Sequence, residues 1–286
     1  MFVIPKRKLS DNRLISVIGF GGLMVAGIPQ SQADRVVEEA ISVGVNFFDV
    51  APTYGDAEIK LGHSLSGRRD KVLLSCKTTR RDKQGSLLEL LQSRKRLKTD
   101  YFDFYVLHGI RDIKNDVEPA CSKDGVLMTA IDAKKQGIVA RIGFSAHTEE
   151  SAISALNAYD FDFVVFPINI FCFLSSNFGE RIIRITEQKN IDLIGIKSLA
   201  LGKWQDTTMK QKYPNCWYQP IEDTRIAEIA LSWALNQNVV SLIPPADIKM
   251  FRCALNLVEC ALTSKLREDD IERVKELLQD IVPVFP

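Results

Sequence analysis

The feature that most constrains this chain is an alternation. Eight short apolar runs, "SVIGFGG", "VNFFDV", "KVLLSCK", "FDFYVLH", "VARIGFS", "FDFVVFPIN", "IDLIGIK" and "VVSLIP", are separated by longer stretches with apolar residues at helical spacing. Val36, Ala40 and Val43, for example, fall at i, i+4 and i+7. Runs that are apolar on both faces and alternate with helices imply a parallel sheet. Two architectures meet that demand, a doubly wound open sheet and a closed (β/α)8 TIM barrel. A dinucleotide-binding open sheet begins with G-x-G-x-x-G after its first strand. Here Gly19 and Gly21 are followed by Met24 in the third glycine position, and no helical pattern starts there. The barrel is favoured, as one domain over residues 1–286. "REDDIERVKELLQDIVPVFP" adds a C-terminal helix, with a Pro-rich tail expected outside the barrel. Ser31 and Thr148 stand where N-caps belong, and Gly44 and Gly137 where helices stop.

Composition narrows the partners. A net charge of +1 gives no electrostatic reason to expect nucleic acid or a membrane surface. The run "SRKRLK" reads as a solvated helix face. Cys76, Cys121, Cys172, Cys216, Cys253 and Cys260 form no C-x-x-C pair, and with three histidines they do not suggest a metal cluster. They read as free thiols in a reducing compartment. "MFVIPKRKLSDNR" is too polar for a secretory signal, and no stretch reaches the ~18 apolar residues of a membrane span. The expectation is a cytoplasmic protein. The segment 202–223 lacks a clear pattern but holds Trp204, Tyr213, Trp217 and Tyr218, which argues for a packed loop or lid.

A barrel of this kind carries its chemistry at the C-terminal ends of its strands. There the second run ends in Asp49, the third in Lys77, the fourth in His108 and the fifth in Ser145. The sixth reaches Asn169 and the seventh Lys197. Tyr54 lies on the loop just beyond Asp49. Taken singly, Asp49 reads as a cap or ion-pair partner, Tyr54 as a packed aromatic, Lys77 as a rim lysine and His108 as a structural histidine. Together at neighbouring strand ends they read as a set. Tyrosine, with a reference pKa of ~10, is a poor acid at neutral pH. A lysine cation beside it lowers that value, and an aspartate keeps the lysine charged. His108 can orient a carbonyl oxygen, which suggests carbonyl reduction with Tyr54 as general acid. No side chain supplies hydride, so a nicotinamide cofactor is required.

"GVNFFDVAPTYGDAE", Lys77 in "KVLLSCK" and His108 in "FDFYVLHGI" resemble the aldo-keto reductase family. The resemblance runs from "IGFGGLM" to "LIPPADIKMFRCALN". It matches the family's four catalytic positions at Asp49, Tyr54, Lys77 and His108. It implies a (β/α)8 barrel and an extended NADP(H) across the strand ends, with a small aldehyde, ketone, sugar carbonyl or the matching alcohol as substrate. The forms "GFSAH" and "GIKSLALG" are closer to a bacterial branch of predicted oxidoreductases, some of which carry an iron–sulfur segment that has no counterpart here.

The departures fall on the cofactor side. Members usually follow the fifth strand with Ser-Asn and place a Gln on the sixth, to hold the nicotinamide amide. This chain has Ser145-Ala146-His147 and Pro167, with Asn169 as a candidate substitute. The usual Ser-Pro-Leu loop over the pyrophosphate becomes "KSLALGKW", offering Lys197, Ser198, Leu199 and Gly202, with Gly22 opposite. After the eighth strand, Pro245 and Ala246 replace a phosphate-binding Lys-Ser pair, leaving Lys249 and Arg252 as the nearby cations. NADP(H) is implied, and NAD(H) is allowed because the usual 2′-phosphate clamp is absent. Met24, Trp204 and Trp217 are the candidate pocket walls.

Two other readings compete. The family's fold also serves as a cofactor-binding regulatory subunit, as in potassium-channel β subunits. A Schiff-base isomerase or lyase acting through Lys77 would need that lysine away from a carboxylate, and Asp49 argues against it.

Overall fold

The computed structural model describes residues 3–286. Eight parallel strands follow one another in chain order around a single sheet. They are β1 (Phe20–Gly21), β2 (Phe47–Asp49), β3 (Leu73–Thr78), β4 (Phe102–Ile110), β5 (Val139–Ala146), β6 (Phe163–Pro167), β7 (Asp192–Ile196) and β8 (Val239–Ile243). A parallel bridge between Ile18 and Leu242 brings the last strand against the first and nearly closes the barrel. The helices around it are α1 (Gln30–Ser42), α2 (Ala57–Ser64), α3 (Lys83–Leu97), α4 (Val126–Lys135), α5 (Glu149–Ala158), α6 (Ile170–Ser176), α7 (Glu180–Lys189), α8 (Thr224–Leu235), α9 (Ile248–Thr263) and α10 (Glu268–Leu278).

The short turns from strand to helix have a local cause. Asp82, Thr148, Asn169, Asp223 and Asp247 each accept a bond from a backbone N–H in the first turn of the helix that follows. Each such cap stabilises its helix by about 1 kcal/mol. Ser31 is not among them: α1 starts one residue earlier, behind Pro29, and has no side-chain cap. Gly44 and Gly137 follow the ends of α1 and α4 at φ 91° and 73°, conformations that cost a side-chain-bearing residue energy.

Strand alternation sorts two cores. Phe48, Leu74, Cys76, Phe144, Val164, Phe166 and Leu193 point outward to the helices. Phe47, Phe104, Val106, Phe163, Val165, Ile194, Val240 and Ile243 fill the barrel. Phe104 meets Phe47 and Phe163 edge-to-face at 5.3 and 5.0 Å. Each such buried ring contributes roughly 1.5–3 kcal/mol by area. Gly143 makes room for this layer, since a Cβ there would lie 2.5 Å from the Phe163 carbonyl oxygen.

An N-terminal hairpin, Lys6–Lys8 paired with Leu14–Ser16, covers the bottom of the barrel and inserts Leu9 and Ile15. Arg141 meets Asp192 there at 2.5 Å, while Arg13 and Arg69 meet Asp103 at 2.7 and 2.8 Å. At the C-terminal end, α10 packs against α6, but the Pro-rich tail does not stay outside. Phe285 stacks on Phe178 at 5.0 Å and meets Trp217 edge-on at 6.3 Å. Burial of that ring, together with a bond from Lys203 N to the Val282 carbonyl at 2.7 Å, draws the tail against Trp217 and Lys197, which line the strand-end cavity.

Candidate active site

The cavity lies at the C-terminal face, has a volume of about 270 Å³, and gathers Asp49, Tyr54, Lys77 and His108. In-register pairing explains the convergence. Asp49 stands opposite Ser75, and Lys77 follows two residues on along the same inward face of β3. Lys77 Nζ lies 2.6 Å from Asp49 Oδ2 and donates to the Tyr54 hydroxyl at 3.2 Å. Ser75 Oγ donates to the other Asp49 oxygen at 2.8 Å. A buried carboxylate is thus paired on both oxygens. The His108 ring stands edge-on to Tyr54 at 5.9 Å. Its placement comes from a register shift between Leu107 and Ile110, with Gly109 at φ 70°. Such bulges re-aim side chains near functional sites. The Gly109 N–H is held by Ser145 Oγ at 2.8 Å.

Burial dominates the electrostatics. It pushes the Tyr54 hydroxyl above the ordinary tyrosine range; Lys77 opposes this and does not overcome it. That corrects the expectation from the lysine alone, and the cause is desolvation of the phenolate. Lys77 is also desolvated, but Asp49 and Tyr54 together hold it above the usual lysine range. His108 is pushed well below the usual histidine value by burial and by surrounding cations, so its imidazole is neutral. Its Nδ1 is buried with no partner in the protein.

The other sequence candidates divide. Ser145, Lys197 and Trp217 line the cavity. Asn169 does not: it caps α6 and donates Nδ2 to the carbonyls of Lys197 and Ala200 at 2.9 and 2.7 Å. Gly22 packs β1 onto β2, where a Cβ would meet the Asp49 carbonyl at 2.9 Å. Ser198 and Leu199 are buried behind Lys197; the Ser198 hydroxyl has no partner. Gly202 abuts Val282 of the tail, and Met24 belongs to the outer core. Trp204 stacks on Tyr213 and donates to the Cys216 carbonyl at 2.9 Å, building the loop's own small core. Arg252 is engaged with Glu39 at 2.6 Å, whereas Lys249 is exposed at the start of α9.

Arg111 and Asn215, which the sequence did not single out, also line the cavity, as do His147 and the loop residue Tyr218. His147 was legible by parity, lying two residues beyond the inward Ser145. Asn215 bridges the 202–223 loop to the Leu23 carbonyl at 3.2 Å, a long-range contact with no sequence signal. Lys197 has φ 63°, a left-handed conformation that costs a lysine about 1–2 kcal/mol. Its Nζ lies 3.3 Å from His147 Nε2, and 5.3 and 5.5 Å from the ring centroids of Trp217 and Phe285.

Comparisons with known proteins bear on the fold and the family. The solved aldo-keto reductase AKR11C1 from Bacillus halodurans, described as a holo form, superposes with a TM-score of 0.71. It is 20% identical, with 98% of each chain covered. A Klebsiella pneumoniae aldo/keto reductase solved in complex with NADP and acetate gives 0.70 at 18% identity, with 96% of each chain covered. These likenesses show the fold. In sequence, human aldo-keto reductase family 1 member C2 is 24% identical, covering 90% of this chain and 88% of that protein. The uncharacterized oxidoreductase YqkF of Bacillus subtilis is 31% identical over 49% of this chain and 48% of its own length. The model of the Aldo/keto reductase family matches residues 17–279, from the first barrel strand to the last helix, and the chain therefore belongs to that family.

Proposed function

We propose that this protein is a nicotinamide-dependent oxidoreductase that interconverts a carbonyl compound and its alcohol, with Tyr54 as the general acid or base. The observation that carries the proposal is Lys77 Nζ, placed between Asp49 at 2.6 Å and the Tyr54 hydroxyl at 3.2 Å. Desolvation keeps the phenol protonated before reaction, so a proton is available at its oxygen. Once that proton has gone to a substrate oxygen, the Lys77 cation faces the phenolate, and Asp49 prevents the lysine from losing its charge. Neutral His108 donates one N–H toward the same oxygen and fixes its direction.

A nicotinamide bound in the cavity would supply the hydride that no side chain carries. The residues present fit its ring end: Leu23, Ile196, Ile243 and Pro244 form an apolar lining beside the four polar groups. The 2′-phosphate end is less provided for. Arg252 is held by Glu39, and Asp247 already caps α9 with a carboxylate, leaving Lys249 as the cation in that first turn. The test is a fluorescence titration with NADPH and with NADH, followed by a carbonyl panel. Tight binding of NADPH with turnover supports the proposal; binding of neither cofactor overturns it.

One observation favours a cofactor-binding regulatory subunit instead. Asn169 is engaged with the backbone, and Pro167 offers no amide where the family holds the nicotinamide. That reading requires NADPH to bind without turnover on any carbonyl, the outcome that separates it from the first.

A further inference from the structure

The cavity contains more positive charge than the four-residue set explains. Lys77 is matched by Asp49, but Lys197 is not matched by any carboxylate. The ionisable groups that bear on Lys197 are Lys77, Arg111, His147 and the Cys172 thiol. Among the described residues, neither Lys197 nor Arg111 has an acidic group within ion-pair distance, although both line the cavity. An ammonium group this buried, without a counter-charge, is costly, and it shifts toward its neutral form until an anion arrives. Its charge is eased by the faces of Trp217 and Phe285 and by the His147 Nε2 contact at 3.3 Å, none of which carries a negative charge. The left-handed backbone at Lys197 is a second, independent oddity, because the chain accepts strain to hold this side chain at the strand end. His147 stands alongside as a neutral imidazole, its pKa lowered to about 3 by burial and by these cations.

We infer that Lys197, His147 and Arg111 form a subsite for an anionic group, a carboxylate or phosphate, borne by the carbonyl substrate. This rests on the oxidoreductase reading and names its substrate class: oxo acids or phosphorylated carbonyl compounds small enough to share a cavity of about 270 Å³ with the nicotinamide ring. The four-residue set addresses the carbonyl, and the subsite anchors the other end. The cluster lies in the same cavity as Tyr54, so one small molecule reaches both. The same chemistry could also be offered by a phosphate of the cofactor, and the experiment separates the two sources.

The experiment compares two acids with their neutral twins, 2-oxopropanoate with propanone and 4-oxobutanoate with butanal, using NADPH. The expected result is a kcat/KM at least tenfold higher for one acid than for its twin. In Lys197→Met that ratio falls to near one, and in Arg111→Met it falls in part. A ratio near one in the unmodified protein would overturn the inference. Equal losses on acid and twin in Lys197→Met would also overturn it, because the lysine would then only shape the site. A tenfold rise in the NADPH Kd with the ratio intact would assign the cluster to the cofactor and overturn the substrate assignment. If neither twin is turned over, the oxidoreductase reading is decided by cofactor binding and the wider carbonyl panel, and tryptophan fluorescence decides the inference alone. Trp217, beside Lys197, is the reporter: tighter binding of 4-oxobutanoate than of butanal, lost in Lys197→Met, supports the subsite, and equal binding rejects it.

Discussion

The two ends of the barrel interior both contain buried charge, and they treat it differently. At the bottom the cations inside the barrel mouth meet carboxylates, Arg141 with Asp192, and Arg13 and Arg69 with Asp103, while Arg7 of the hairpin donates to the Leu235 and Val239 carbonyls. Arg141 also lies over the rings of Phe104 and Phe163 at 5.5 and 5.8 Å, closing the floor of the inner core. At the top, pairing stops halfway. Lys77 is neutralised by Asp49, while among the described residues neither the buried Lys197 nor the more exposed Arg111 has a partner of opposite sign, although both line the cavity. A barrel interior tolerates charge where the charge is internally balanced, since desolvation is then offset by Coulomb attraction and hydrogen bonds. Where it is left unbalanced next to open space, the missing counter-charge is a property of the ligand. On the proposed function, the bottom network serves stability and the top serves chemistry.

The sharpest way to break this comparison is to remove one partner at each end. Arg141→Met leaves Asp192 buried and unpaired, and should cost about 3–5 kcal/mol in urea unfolding. Activity per folded molecule should stay within about twofold, measured below the transition. Lys77→Met should cost a similar amount, about 3–5 kcal/mol, and should also abolish turnover. Adding Asp49→Asn should recover much of that stability without restoring turnover. If Arg141→Met lost activity as Lys77→Met does, the division between the two ends would collapse.

A smaller effect distinguishes Lys197. Burial and nearby cations lower it from 10.5 to about 7. Between those values the unfolded chain binds a proton that the folded chain does not, so stability rises with pH across that window. Relative to Lys197→Met, the unmodified protein should gain about 1 kcal/mol per pH unit between roughly pH 7.5 and 9.5. Urea midpoints at several pH values would show this. An identical pH dependence in the two proteins would mean that Lys197 keeps its charge when folded. The smallest effect belongs to Arg252, whose guanidinium is engaged with Glu39. Arg252→Ala should change the NADPH Kd by less than about twofold; a tenfold loss would show that the ion pair opens to a phosphate.

Much of this was legible in the sequence because strand alternation is strict. Asp49 and Lys77 share parity with the inward Phe47 and Leu73 of their strands, Ser145 pairs with the inward Val165 of β6, and a parallel sheet aligns strand ends. The barrel itself followed from apolar runs buried on both faces. What failed to show was long-range or energetic. Asn169 has the residue type of a ligand contact, yet its position one residue before α6 makes it a cap, and helix onset is poorly placed by pattern alone. Phe285 sits in a tail whose composition suggests solvent, and only the apolar gap beside Phe178 and Trp217 gives it a place. The direction of the Tyr54 shift depends on how deeply its hydroxyl is enclosed, a quantity that no spacing encodes.

The central claim is that the Tyr54 hydroxyl, held by Lys77, moves the proton. The most direct test is Tyr54→Phe, assayed for NADPH affinity by fluorescence and for turnover on the best carbonyl compound of the panel. The account predicts a Kd within about threefold of the unmodified protein and a loss of about 10²–10⁴-fold in turnover. A phenylalanine variant that turns over within tenfold of the unmodified protein would contradict it.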